Sequence, residues 1–218
     1  MISIISTVLP IGLGVGVGYL VLRLATRRNE QMKQQFTILA DNLGCQVNLP
    51  EKMFLNIDKG FPSVDGMLDG KSLHVYMYTV GSGKNQRTYT AFKIKTTNRY
   101  SYTLKIYREG FFSKLGKGLG MQDIEIGDPE FDKEFIIKAN DDFFVKEIFD
   151  DPLKSHFLQV ADKMKGELKL KGDEISYSEM VFLVTRNKRS NFEQVIYLGS
   201  ALSDAITRFS ESTKPPGI

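Results

Sequence analysis

The stretch GMLDGKSLHVYMYTV, Gly66 to Val80, decides the fold. Asp69-Gly70 is a two-residue turn signal, and the residues after it are rich in β-branched and aromatic side chains, so the stretch reads as a β-hairpin. Two neighbouring stretches continue the pattern. TYTAFKIKTT (Thr88–Thr97) and SYTLKIYRE (Ser101–Glu109) alternate with the period of two that marks a half-buried strand, with Phe92, Ile94, Leu104 and Ile106 on the apolar faces. Together they predict an antiparallel meander from Met67 to Glu109. FDKEFIIKAN (Phe131–Asn140) reads as another strand. GELKLKGDEISYSEM (Gly166–Met180) reads as a second hairpin turning at Gly172-Asp173.

Between and around these strands the period changes to that of a helix. Met32, Phe36, Leu39, Ala40 and Leu43 share one face of Glu30–Leu43, which Gly44 terminates. Asp141 or Asp142 can cap a helix carrying Phe143, Phe144 and Ile148. Asp151-Pro152 starts the next one, with proline tolerated in the first turn and Leu153, Phe157, Val160, Ala161 and Met164 on its buried stripe. Asn191–Glu211 is the clearest helix, with Phe192, Val195, Ile196, Gly199, Leu202, Ala205, Ile206 and Phe209 on one side. The fold class implied is α+β: an antiparallel sheet packed on one side by two or three amphipathic helices.

The N-terminus reads differently. Ile2 to Leu22 is apolar and uncharged, long enough as a helix to match a bilayer core. Gly12, Gly14, Gly16 and Gly18 fall into two stripes of four-residue spacing, a pattern that lets membrane helices pack closely and would allow self-association through the span; the alternative is that the glycines are merely tolerated in a lone span. The same glycines fail the dinucleotide-binding spacing, because Val17 stands where that pattern needs its third glycine. Basic residues follow the segment (Arg23, Arg27, Arg28) and none precedes it, so the positive-inside rule places the N-terminus outside and the remainder in the cytoplasm. A cleaved signal peptide fits poorly, since it needs a basic start and a shorter apolar run. The expected organisation is an anchor with basic flank over 1–28, a stalk helix and connector over 29–62, a cytoplasmic domain over 63–211 and a flexible tail over 212–218.

Composition narrows the chemistry. One cysteine excludes an internal disulfide and a cysteine-rich zinc site, and two separated histidines, His74 and His156, argue against a histidine metal site. Beyond residue 28 the chain holds 26 basic and 26 acidic residues. They are unevenly spread: Lys71–Lys117 has ten basic residues and one acid, whereas Gly118–Asp151 has eleven acids and three lysines.

Each chemistry-bearing motif has a plain structural alternative. VGSGKN (Val80–Asn85) resembles a phosphate loop, but Tyr78 and Asn85 occupy two of its defining positions, so a hairpin turn is the better reading. Asp123, Glu125, Asp128, Glu130, Asp132 and Glu134 could hold a hard cation through oxygens, yet their spacing is not that of a calcium loop. Cys45 and His74 lie in no nucleophile–base pattern and read as structural. On the meander, Lys93 and Lys95 oppose Phe92 and Ile94, and Lys105 and Tyr107 oppose Leu104 and Ile106. These three lysines form a candidate anion-binding face, provided the strands pair in simple register. The alternative is that the lysine-rich strands meet the acidic segment or solvent.

The hairpin with its G-x-x-x-G spacing, and the pattern formed by Gly127, Asp128, Phe131, Asp132, Phe135 and Ile137, resemble those of a group of bacterial membrane-anchored proteins of unknown function. The resemblance covers Phe61 to Met180 and implies a bacterial inner-membrane protein; it carries over no catalytic residue. The function expected from the whole chain is a membrane-tethered binding or scaffold module with no cofactor. Its partners would be the bilayer through residues 2–22 and a cytoplasmic protein, with no nucleic acid. The alternatives are an enzyme with a loop-built, metal-assisted acidic site and a surface that senses anionic lipid.

Overall fold

The computed structural model describes residues 2–51, 60–110 and 122–212, and side chains from residue 19 onward, Gln122 apart. Nine strands form one antiparallel sheet: β1 (Gln46–Asn48), β2 (Ser63–Leu68), β3 (Lys71–Val80), β4 (Arg87–Lys95), β5 (Leu104–Arg108), β6 (Gln122–Ile124), β7 (Phe135–Ala139), β8 (Glu167–Lys171) and β9 (Glu174–Glu179). Their order across the sheet is β1-β2-β3-β4-β9-β8-β5-β7-β6. Five helices are described: α1 (Ile2–Leu43), α2 (Pro129–Glu134), α3 (Asp142–Ile148), α4 (Asp151–Val160) and α5 (Arg186–Ser212).

The expected meander is interrupted. β3 and β4 pair as anticipated, but β5 does not follow β4, because the β8–β9 hairpin inserts between them. This late hairpin closes the sheet between two earlier halves, a non-local pairing that local periodicity does not encode.

One face of the sheet is the core. Val75 on β3, Phe92 and Ile94 on β4, Ile175 on β9, Leu168 on β8, Ile106 on β5 and Ile137 on β7 are all buried there. α5 lies close across it: a Cβ on Gly199 would come within 2.8 Å of the Phe92 ring, so only glycine allows this approach. The last turns of α1 join the same layer, with Met32, Phe36, Leu39, Ala40 and Leu43 buried as their spacing implies. α1 and α5 are clasped by a polar network. Arg189, buried, donates from Nε to Gln35 (3.1 Å) and from Nη1 to Glu193 (2.6 Å), and Asn42 also donates to Glu193 at 3.1 Å. The buried guanidinium thus has a carboxylate beside it, which offsets its desolvation.

The expectation of a single-pass inner-membrane protein is corrected here. Among the described residues, no helix is long and apolar enough to cross a membrane. The described side chains of α1 include Arg23, Arg27, Arg28, Glu30 and Lys33, and the apolar residues of its last turns, Met32 to Leu43, are buried in the domain core, whereas Tyr19 to Leu22 and Leu24 are exposed. The orientation inferred from the arginines falls with the span; Arg28 lies 4.8 Å over the Phe182 ring of the domain instead. Gly12, Gly14, Gly16 and Gly18 lie outside the residues whose side chains are described, as does tail segment 213–218 and most of the glycine-rich stretch after Glu109.

The segment FDKEFIIKAN also departs from expectation, beginning as helix and becoming strand only at Phe135. The reason lies in the motif before it. Gly127 has φ +82°, a conformation that favours glycine. Asp128 caps α2, accepting from the N–H groups of Glu130 (3.1 Å) and Phe131 (3.2 Å), and Pro129 occupies the first turn. Asp132 reaches back to accept from the N–H groups of Ile126 and Gly127, both at 3.0 Å. Phe131 and Phe135 pack with Phe149 and Phe157 in mostly edge-to-face contacts beneath the sheet. Every residue of the G-D-x-x-F-D-x-x-F pattern therefore has a folding task. The next caps are Asp141, as expected, and Asp150, one residue ahead of the expected start.

Candidate functional site: the open face of the sheet

Side chains alternate across a strand, so the residues between the core positions point to the opposite face. No helix among the described residues packs there. The register aligns one residue from each of eight strands into a row: Asp65, His74, Lys93, Ser176, Lys169, Lys105, Lys138 and Asp123. Lys93 and Lys105 thus share a row although β4 and β5 are not neighbours. Lys95 lies on the same face near the end of β4, opposite Glu174.

The lysines do not stand alone. Lys93 pairs with Glu174 at 3.0 Å, Lys138 with Asp123 at 2.6 Å, and Glu167 takes both Lys105 (3.2 Å) and Lys169. The hydrogen bond from Lys93 to Glu174 holds that ammonium above its usual pKa, and the bond to Asp123 does the same for Lys138. Two of the expected anion-binding lysines, Lys93 and Lys105, therefore meet carboxylates from the β8–β9 hairpin rather than from the acidic segment. That segment supplies Asp123 to Lys138 and Glu134 to Arg108. Its remaining carboxylates include Asp128 and Asp132, already engaged with backbone; Asp128 also faces Lys154 at 3.5 Å. The Phe131 N–H and these other partners lower the Asp128 pKa. Among the described residues, no group of three or more His, Cys, Asp or Glu side chains is placed to hold a metal ion.

An aromatic ladder runs beside the lysines. His74 stacks on Tyr76 (4.9 Å between centroids), Tyr76 tilts against Tyr78 (5.9 Å), and Tyr78 stacks on its cross-strand partner Tyr89 (5.4 Å). Asp65 fixes the His74 ring at 2.6 Å and is itself held by Asn48 at 2.7 Å. No hydroxyl or thiol is hydrogen-bonded to His74 among the described residues. Between the ladder and Lys169 lies a cleft of about 220 Å³ whose floor is small: Ala91, Ser176 and Ser178. The sequence singles out Lys93, Lys95 and Lys105 as candidates and does not reveal the ladder or the cleft. The alternating tyrosines of HVYMYTV were the available signal; the serines became meaningful only once β9 was placed beside β4.

Cys45 lies on the other side. A Cβ on Gly66 would fall 2.6 Å from its Sγ, and burial pushes the thiol pKa up, which fits an unreactive packing residue.

No protein-family model matches the chain, and no curated protein matches it. Among solved structures, the crystal structure of the mycobacterial trehalose monomycolate transport factor A, TtfA, has a similar fold. It shares 10% sequence identity with a TM-score of 0.55, over 80% of this chain and 94% of that one. At that identity the likeness concerns the fold alone.

Proposed function

We propose that the protein is a binding module that works through the open face of its sheet, serving a larger process as an accessory rather than as its catalyst. One observation carries this reading: a nine-stranded sheet buries one face under helices and presents on the other a row of charged and polar side chains beside an aromatic ladder. Exposed, patterned aromatic and charged side chains on a rigid sheet suit recognition. The non-catalytic part is supported by His74, which Asp65 orients but which has no hydrogen-bonded nucleophile among the described residues. The solved neighbour is a transport factor, and by analogy of fold we extend a transport-associated role to this chain. We also take the G-D-x-x-F-D-x-x-F pattern as a structural signature by which relatives of the chain would be found.

The anionic-lipid reading draws on the same lysines, but their pairing with Glu167, Glu174 and Asp123 leaves the face close to charge balance. The test is ligand-independent. Lysine acylation by a cell-permeant reagent is quantified by mass spectrometry in intact cells and on the purified chain. Lys93, Lys105, Lys138 and Lys169 are expected to be protected in cells relative to Lys146 and Lys188 on α3 and α5. Equal reactivity in cells and in isolation would contradict the reading.

A further inference from the structure

We propose that the cleft at the centre of the open face is a subsite for a neutral carbohydrate, an assignment that rests on reading this face as the binding surface. The cleft's chemistry argues by elimination. Lys93 and Lys169 face it, but so do Glu174 and Glu167, each already in an ion pair. An anion entering here meets two carboxylates, and a cation meets two ammonium groups. An apolar ligand would strip water from four charges and give nothing back. A neutral polyol suits all four, because each sugar hydroxyl accepts from an ammonium and donates to a carboxylate.

The remaining surfaces fit the same occupant. The hydroxyls of Ser176 and Ser178 on the floor, and of Tyr76 and Tyr78 on the wall, make no hydrogen bond to another described residue. They are donors and acceptors with capacity to spare. The tyrosine rings supply an apolar wall for the C–H side of a pyranose, with a polar tip beside it. The size is also restrictive. About 220 Å³ lies below the roughly 300–1,000 Å³ of pockets for drug-sized ligands. The cleft therefore takes one ring, and the rest of a longer ligand lies along the row of lysines and acids.

Saturation-transfer NMR on the full chain tests this with four neutral disaccharides (maltose, cellobiose, sucrose and trehalose) and with glucose 6-phosphate as the anionic arm. The expected result is transfer to the ring protons of at least one neutral sugar, persisting at high salt. Tyr78→Ala should weaken that binding about two- to tenfold, the range of one aromatic contact. Tyr78→Phe, which keeps the ring, should retain most of it, and circular dichroism on both variants separates lost binding from lost fold. Binding of glucose 6-phosphate alone, abolished by salt, would overturn the assignment in favour of an anion site. Transfer to none of the sugars would overturn it as well. In either case lysine protection in cells decides separately whether the open-face reading stands.

Discussion

Phe92 and Lys93 are adjacent on β4 and answer to different physics. Phe92 is fully buried, packed against Tyr177 and Phe192 at ring distances of 5.5 and 5.9 Å and touched by α5 at Gly199. Lys93 points the other way, keeps 41% of its side chain exposed, and holds Glu174 across the strand pair. The helix-covered face gains from excluding water and tolerates no change of shape. The open face is a set of polar pairs that water already satisfies, so its residues can be exchanged at little cost to folding. That difference separates residues that hold the fold from residues free to serve a ligand.

The comparison breaks most readily at its buried side. Phe92→Ala should cost about 3–5 kcal/mol in denaturant unfolding, since a large ring is lost from a close-packed layer. A smaller loss would mean that α5 collapses onto β4.

A second test uses the exception on the covered side. Glu179 is a buried carboxylate, accepting from the Tyr177 hydroxyl at 2.6 Å. Desolvation raises its pKa, and Tyr177 is raised well above its ordinary range by the same burial and by the carboxylate. A carboxyl with a raised folded pKa binds more protons in the native than in the unfolded state. Stability from this group therefore falls as pH rises from the ordinary glutamate range through the raised value. Glu179→Gln keeps an acceptor for Tyr177 and removes the charge. It should be more stable than the parent at neutral pH, with the difference shrinking towards acid. A constant difference across pH would show that the carboxylate is not the cause.

The smallest effect belongs to the open face. Lys93→Ala should cost no more than about 1 kcal/mol, because exposed ion pairs contribute little. A larger loss would make this row part of the folding core.

How much of this was legible in the sequence follows from the range of the interactions. The β2–β3 turn was legible because Asp69 and Gly70 both take positive φ, +50° and +77°, which that residue pair favours. The stripe on α5 was legible because its period is local. The α2 turn was misread as strand, since Asp132 clasping the Ile126 and Gly127 N–H groups leaves no periodic trace. The neighbour of β4 was illegible for a stronger reason: its partners on β9 lie 79 to 89 residues away in the chain, from Lys95 with Glu174 to Thr90 with Glu179. The lysines were found by alternation alone, whereas their carboxylate partners on β8 and β9 depended on that unseen insertion. The apolar N-terminal run was read by length and charge, but among the described residues no helix meets the requirement for crossing a membrane.

Ser178→Leu asks whether the open face is the working surface. Ser178 lies on the cleft floor, on the opposite face of β9 from its buried neighbour Tyr177, so a larger side chain fills the cleft without entering the core. Lysine acylation in intact cells is compared between this variant and the parent, alongside their thermal unfolding midpoints. The midpoint is expected to hold while Lys93 and Lys169 lose their protection. Protection unchanged in a folded Ser178→Leu protein would contradict the open-face reading.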